Sequence, residues 1–365
     1  MTELLKFPGL GLELNINRVA FSFGPFTVYW YGILIVTGLG LALIYANKRA
    51  KEFGINKDKM LDIVLWGTIG SIIGARAYFV AFSWDLYKDN LASIFKIWEG
   101  GIAIYGAIIG ALIVGIFVAK KKKVKCLPLT DLVFTCFLLG QGIGRWGNFF
   151  NIEAFGSNTT LPWGMTSDSI VSYLTRHQAE LAEIGVAVDP NMPVHPTFFY
   201  ESIWCLIGFF ILAWYTKRRK FDGEMTLMYA MWYGAERFVV EGLRTDSLMW
   251  GKVRVSQALA LVTVIVALAI FIYMRRKISK AEDKTLFTPY GHTEAGKKEN
   301  MTAEEKTEFE HKEQEEKNKS ENNEETAVKE ADNEETENTQ EVVNTEETLE
   351  TDKSIAENKT NTEEN

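Results

Sequence analysis

The sequence predicts an all-α polytopic membrane protein: seven transmembrane helices, N-terminus outside, C-terminus cytoplasmic, and a disordered acidic tail. Three observations predict it. Seven apolar stretches each reach the roughly 20 residues that a helix needs to cross a bilayer. Basic residues crowd into alternate connections between them. The charge also breaks sharply near residue 280. Residues 281–365 hold 27 Asp+Glu against 10 Lys+Arg, a net of −17. Residues 1–280 hold 20 acids and 29 bases, a net of +9. The whole-chain charge of −8 averages these two regions, and one homogeneous soluble globule is excluded.

The spans are expected at about 26–46, 61–80, 101–119, 127–145, 197–216, 224–243 and 255–274. The first, third and seventh contain no charged residue. Residues 1–25 lack the basic n-region and A-x-A-like site of a cleavable signal peptide and read as an amphipathic surface segment. Connections after spans 1, 3, 5 and 7 carry 18 Lys and Arg; the N-terminal segment and the other connections carry 8. Positive loops stay cytoplasmic, so the long segment of about 146–196 is expected outside. Glycine pairs at small-xxx-small spacing (Gly70/Gly74, Gly106/Gly110, Gly140/Gly144) read as helix packing. Cys126, Cys136 and Cys205 lie in apolar surroundings without C-x-x-C spacing, against a disulfide framework or a Cys-based metal site. The division is thus a membrane domain, 1–280, and a tail, 281–365. The tail is nearly free of aromatics after Phe309, too polar to offset its ordering entropy.

An ionisable side chain inside a bilayer costs about 2.5–3.5 kcal/mol on insertion scales, so it usually has a task. The candidates are Arg76, Arg145, Glu201, Glu236, Arg237 and Glu241; Asp62, Asp131 and Glu224 sit near cytoplasmic ends, where water can reach them. Arg237, Glu241 and Arg244 share one helix face at i, i+4 and i+7. Two readings stand for this cluster: a self-neutralising ion pair, or a cationic pocket oriented by Glu241. Arg145, at the end of span 4, reaches the same outer level. Two guanidiniums there suit a phosphodiester, because the Arg fork binds phosphate bidentately.

The densest stretch is Gly144-Arg145-Trp146-Gly147-Asn148-Phe149-Phe150-Asn151-Ile152-Glu153-Ala154-Phe155-Gly156. It resembles the signature G-R-x-[GA]-N-F-x-N-x-E-x-x-G of bacterial prolipoprotein diacylglyceryl transferases, with every fixed position filled. Further blocks resemble the family in order and spacing: Trp30-Tyr31-Gly32, Trp98-Glu99-Gly100-Gly101, His195-Pro196-Thr197 with Tyr200-Glu201, and Tyr233-Gly234 through Arg237-Phe238, Glu241 and Arg244. The resemblance covers about residues 15–275. One position departs. Where the family often has His-Gly-Gly in span 3, this chain has Tyr105-Gly106-Ala107. An unperturbed Tyr, with a pKa of about 10, is a poor base at neutral pH. Either Tyr105 donates or orients a hydrogen bond, or nearby arginines ease its ionisation, or the base lies elsewhere.

The resemblance implies transfer of the sn-1,2-diacylglyceryl group of phosphatidylglycerol to the lipobox cysteine of a prolipoprotein, with a thioether formed and glycerol 1-phosphate released. It implies catalytic roles for Tyr31, Tyr105, Arg237 and Glu241, and phosphatidylglycerol contacts for Arg145, Asn148, Glu153, Gly156 and Arg244. His195 and Glu201 are weaker candidates. No metal, cofactor or nucleic-acid partner is expected. The implied location is the bacterial cell membrane, with the active site facing out. Two rivals are a transporter, against which no repeat relates the halves, and a lipid-binding scaffold, which would need the cations but not the strict signature.

Overall fold

The computed structural model describes residues 2–24, 26–183, 185–245, 247, 249–250, 253–301, 305–309 and 311. Residues 1–300 form one compact unit. Most of the acidic tail assigned from the sequence lies outside the described residues.

Two β-hairpins open the chain: β1 (Thr2–Phe7) with β2 (Leu12–Asn17), and β3 (Val19–Phe23) with β4 (Phe26–Tyr29). Then come α1 (Trp30–Arg49), α2 (Lys57–Phe82), α3 (Ile104–Lys121), α4 (Cys126–Asn151), α5 (Asp168–Glu183), α6 (Thr197–Tyr215) and α7 (Glu224–Leu243). A short pair, β5 (Met249–Trp250) and β6 (Val253–Arg254), leads into α8 (Val255–Lys280) and the small α9 (Glu294–Lys298). Among the described residues, six helices are long and apolar enough to cross a membrane: α1, α2, α3, α4, α6 and α8. With the family established below, this makes the chain a multi-pass membrane protein. α7 falls outside that class because it carries Glu224, Glu236, Arg237 and Glu241.

Small residues set the pairing of the long helices. A side chain at Gly70 would meet the Gly110 carbonyl oxygen at 2.8 Å, and one at Gly74 would meet the Gly110 Cα at 2.9 Å, so α2 and α3 lie backbone to backbone. On α1, Gly38 sits against Gly140 of α4, its Cβ position 3.3 Å from the Gly140 carbonyl oxygen. The α2–α3 pair stands beside the α1–α4 pair, with a cavity of about 640 Å³ between them.

At the basic end of the bundle, two carboxylates for which the sequence suggested hydration are instead fully buried. Asp131 accepts from the Gly223 and Thr226 N–H groups and the Thr226 hydroxyl, each at 2.8 Å, and so caps α7 from α4. Glu224 pairs with Arg275 Nε at 2.6 Å and accepts from the Lys220 N–H at 2.5 Å. Asp62, by contrast, is part-exposed and pairs with Lys122 at 2.5 Å.

Residues 281–300, placed in the tail from their charge, fold back onto this same end. The Tyr290 N–H donates to Asp222 Oδ2 at 2.9 Å, Lys59 pairs with Glu299 at 2.8 Å, and Gly291 packs on the backbone of Glu52 and Gly54. Composition missed this strap because Phe287, Pro289, Tyr290 and Gly291 are too few to alter the average.

The opposite end carries a second core. Leu5 and Ile16 of the first hairpin, Ile152 and Phe155 after α4, and Ile170, Leu174 and Leu181 of α5 close into one cluster. Glu3 ties the hairpin to α5 by accepting from the Ser169 N–H at 2.8 Å and its hydroxyl at 2.7 Å. The amphipathic N-terminal segment is thus a pair of hairpins, and the long loop holds a helix whose buried face recurs at i, i+4 and i+11.

Candidate active site

The span expected to end at residue 145 continues as helix to Asn151. Arg145, Trp146 and Asn148 are therefore helical, not loop, residues. Helix α4 stops where the backbone turns left-handed at Ile152 (φ 52°) and again at Ala154 (φ 56°). Such conformations cost non-glycine residues about 1–3 kcal/mol and persist when the surroundings over-determine them. Here they do. Ile152 is buried in the second core, the Ala154 carbonyl accepts from the Thr197 hydroxyl, and Glu153 Oε1 accepts from Asn148 at 2.9 Å and Asn151 at 3.1 Å.

The chain then threads between two other segments. The Gly156 N–H donates to the His195 carbonyl at 2.9 Å, Gly156 bridges to Arg244, and the Ser157 N–H donates to the Leu243 carbonyl at 2.6 Å. A Cβ at Gly156 would lie 2.8 Å from the His195 Cβ and 3.1 Å from the Leu243 carbonyl oxygen. The glycine is required for space.

Three helices converge on a buried carboxylate. Glu201 of α6 is 1% exposed. Its Oε2 lies 2.9 Å from Arg145 Nε, and its Oε1 lies 3.7 Å from Arg237 Nη1. Arg237 also gives Nη2 to Glu241 Oε2 at 2.5 Å, one turn on along α7. Arg244 adds its charge to the field at Glu201. The carboxylate partner of Arg145 is thus Glu201. Glu236 is also buried, and its Oε2 accepts from the Cys205 thiol at 3.6 Å.

Arg145 lies at the polar end of the 640 Å³ cavity, beside Tyr31, Gln141 and Asn148. The rest of the lining is apolar and runs along α1 and α4 to Ala46, Met60 and Leu132. From Tyr31 to Ala46 this is about 22 Å of helical rise. The Tyr31 ring packs directly on Gly147, two residues along α4 from Arg145. Tyr31 also borders a second cleft with Arg18, Asn151 and Glu153, under the second hairpin.

Tyr105 stands apart from this group. It is 66% exposed and its ring faces Tyr78 of α2, while its neighbour Ile104 lines the cavity. The first turn of α3 directs it outward. His195 places Nδ1 3.2 Å from the Tyr200 hydroxyl, which accepts from Trp163 Nε1 at 2.7 Å. Burial pushes the His195 imidazole below its ordinary value. Arg76 is not part of a charge cluster either. Its guanidinium donates to the carbonyls of Ser93, Ile94, Gly100 and Gly101, each at 2.7 Å, and lies 5.0 Å over the Tyr87 ring. It organises the α2–α3 connection.

Glu201, a weaker candidate from the sequence, stands at the centre of this arrangement. Its signals in the sequence were the Tyr200-Glu201 block and a lone carboxylate in an otherwise uncharged apolar span, which the bilayer penalty marks as purposeful.

The profile of the prolipoprotein diacylglyceryl transferase family matches residues 18–273. A phosphatidylglycerol–prolipoprotein diacylglyceryl transferase of Finegoldia magna is 42% identical over 270 residues, covering 74% of this chain and 100% of the relative. Proteins of the same description from Listeria monocytogenes serovar 1/2a and Lysinibacillus sphaericus are each 41% identical. They cover 72% and 74% of this chain, and 92% and 96% of their own lengths. The chain belongs to the prolipoprotein diacylglyceryl transferase family.

Proposed function

We propose that this transferase moves the sn-1,2-diacylglyceryl group of phosphatidylglycerol onto the lipobox cysteine thiol of a prolipoprotein. The C–S bond forms at the glyceryl carbon as its C–O bond to phosphate breaks. The electron pair stays on the phosphate oxygen, glycerol 1-phosphate leaves, and the thiol proton passes to the departing phosphate or to water. The single observation that carries this reading is Arg145 at the polar end of a long apolar cavity, joined through Glu201 to Arg237. An anionic headgroup matches the cations and an acyl chain matches the apolar wall.

Fixed cations in a low-dielectric site stabilise the charge that gathers on the departing phosphate. Arg145 and Arg237 take that role. Asn148 and Glu153 hold the end of α4, Glu241 orients Arg237, and Gly156 lets the loop pass Arg244. Tyr31 borders both the lipid cavity and the second cleft, where the thiol of an extracytoplasmic peptide would meet the glyceryl carbon. A thiol has a free pKa of about 8.5 and needs help to ionise. Tyr31, which lines the cavity beside Arg145, is better placed to orient the thiol than the outward-facing Tyr105.

α7 is read as the seventh crossing, its charges masked within the bundle by the pairs described above. The basic end is then cytoplasmic, and the site faces out from the cell membrane. Cysteines replacing Glu180 and Lys122, both exposed, test this in intact cells lacking Cys126, Cys136 and Cys205. Only the first is expected to react with an impermeant maleimide. The reaction itself is tested with labelled phosphatidylglycerol and a lipobox peptide. Thioether product supports the transferase, whereas retained lipid without product supports a scaffold.

A further inference from the structure

We infer that Glu201 is a positioning residue for the transfer, the carboxylate that sets Arg145 and Arg237 at one working geometry; this rests on the function proposed above. Two guanidiniums brought from α4 and α7 to one partly buried locus repel each other more than they would in water. An anion from a third helix, touching both, removes that penalty and fixes both directions. Glu201 does this with separate oxygens, 2.9 Å to Arg145 and 3.7 Å to Arg237. It takes Arg145 through Nε, the side of the guanidinium that leaves the two Nη groups as the fork for a phosphate. Arg237 is held from two sides, by Glu201 at Nη1 and Glu241 at Nη2.

The carboxylate is itself immobilised by its sequence neighbours. Tyr200 is fixed by Trp163 and His195. The Ser202 hydroxyl donates to the Gly142 carbonyl at 2.7 Å and accepts from Trp146 Nε1 at 3.1 Å, which pins α6 to α4 beside the ion pair. Gly142 permits this closeness, since a Cβ there would lie 2.9 Å from Leu206 Cγ. Three consecutive polar residues in an apolar helix thus serve one purpose, a supported geometry of the kind that preorganised sites need. The polar contact of Glu236, the other buried carboxylate nearby, is the Cys205 thiol at 3.6 Å.

The sign of the effect separates positioning from binding. Glu201→Gln keeps the volume and removes the charge, so the site gains net positive charge. An anionic lipid then binds at least as well, but the forks are no longer aimed. In detergent, with phosphatidylglycerol and a lipobox peptide, kcat per folded enzyme is expected to fall at least about tenfold while KM for the lipid does not rise. Inhibition by inorganic phosphate is expected to strengthen. Glu201→Asp keeps the charge but is too short to reach both arginines; it is expected to fold and to give an intermediate kcat. If the Gln variant does not fold, the Asp variant decides. A wild-type kcat in either folded variant overturns the inference, and so does a raised KM with kcat unchanged, which would make Glu201 a binding group. Failure of the wild type to form thioether overturns the proposed function and this inference together. A transferring wild type beside an equally active variant overturns the inference alone.

Discussion

Replacing Arg145 by lysine leaves the charge in place and removes the fork. In the wild type, Nε is committed to Glu201 at 2.9 Å while the side chain stays 21% exposed at the head of the apolar cavity. A lysine ammonium can keep the pair with Glu201 or meet a phosphate, but it cannot present a planar bidentate edge while held by the carboxylate. The buried carboxylate keeps a cation, so folding is expected to survive; a buried charge stripped of its partner would instead cost about 3–5 kcal/mol. The loss then falls on the transition state. Removing one preorganised donor typically costs about 2.7–4 kcal/mol, or about a hundred- to a thousandfold in kcat. The assay is diacylglyceryl transfer to a lipobox peptide at saturating phosphatidylglycerol, with folded enzyme quantified by size exclusion. Near wild-type turnover would refute the clamp and return Arg145 to a structural ion pair with Glu201.

Three further outcomes are expected. Gly156→Ala must push apart the His195 and Leu243 segments, so activity is expected to fall by at least about tenfold with a melting temperature lowered by a few degrees; unchanged values would show that the loop yields. A chain ending at Asn300 is expected to melt and turn over like the full chain. One ending at Lys280 loses the strap and, with two or three hydrogen bonds worth roughly 1 kcal/mol each, is expected to melt about 5 °C lower; equal thermal midpoints for the two would show the strap to be dispensable. Tyr105→Phe is expected to keep turnover within about threefold, because the side chain faces outward from α3, and a loss like that expected of Arg145→Lys would restore Tyr105 to the chemistry.

The sequence by itself determined six of the apolar spans and the family. Apolar runs of bilayer length need no long-range information, because in lipid the backbone must satisfy its own hydrogen bonds wherever the run occurs. The signature from Gly144 to Gly156 lies in thirteen consecutive positions and is read without folding. Gly70/Gly74 and Gly106/Gly110 foretold the close pairing of α2 and α3, because a missing side chain is itself a packing signal. The tertiary structure alone decided which charge meets which. Arg145, Glu201 and Arg237 are separated by 56 and 36 residues and carry no periodicity that links them; only the convergence of α4, α6 and α7 reveals the bridge. It also turned Arg76 toward backbone carbonyls and Tyr105 toward the outside, two assignments that composition and motif could not make. The hairpins and the strap at 281–300 escaped for the same reason. Their stability comes from what they dock against, and a polar segment with few aromatics shows in its own sequence only that it cannot fold alone.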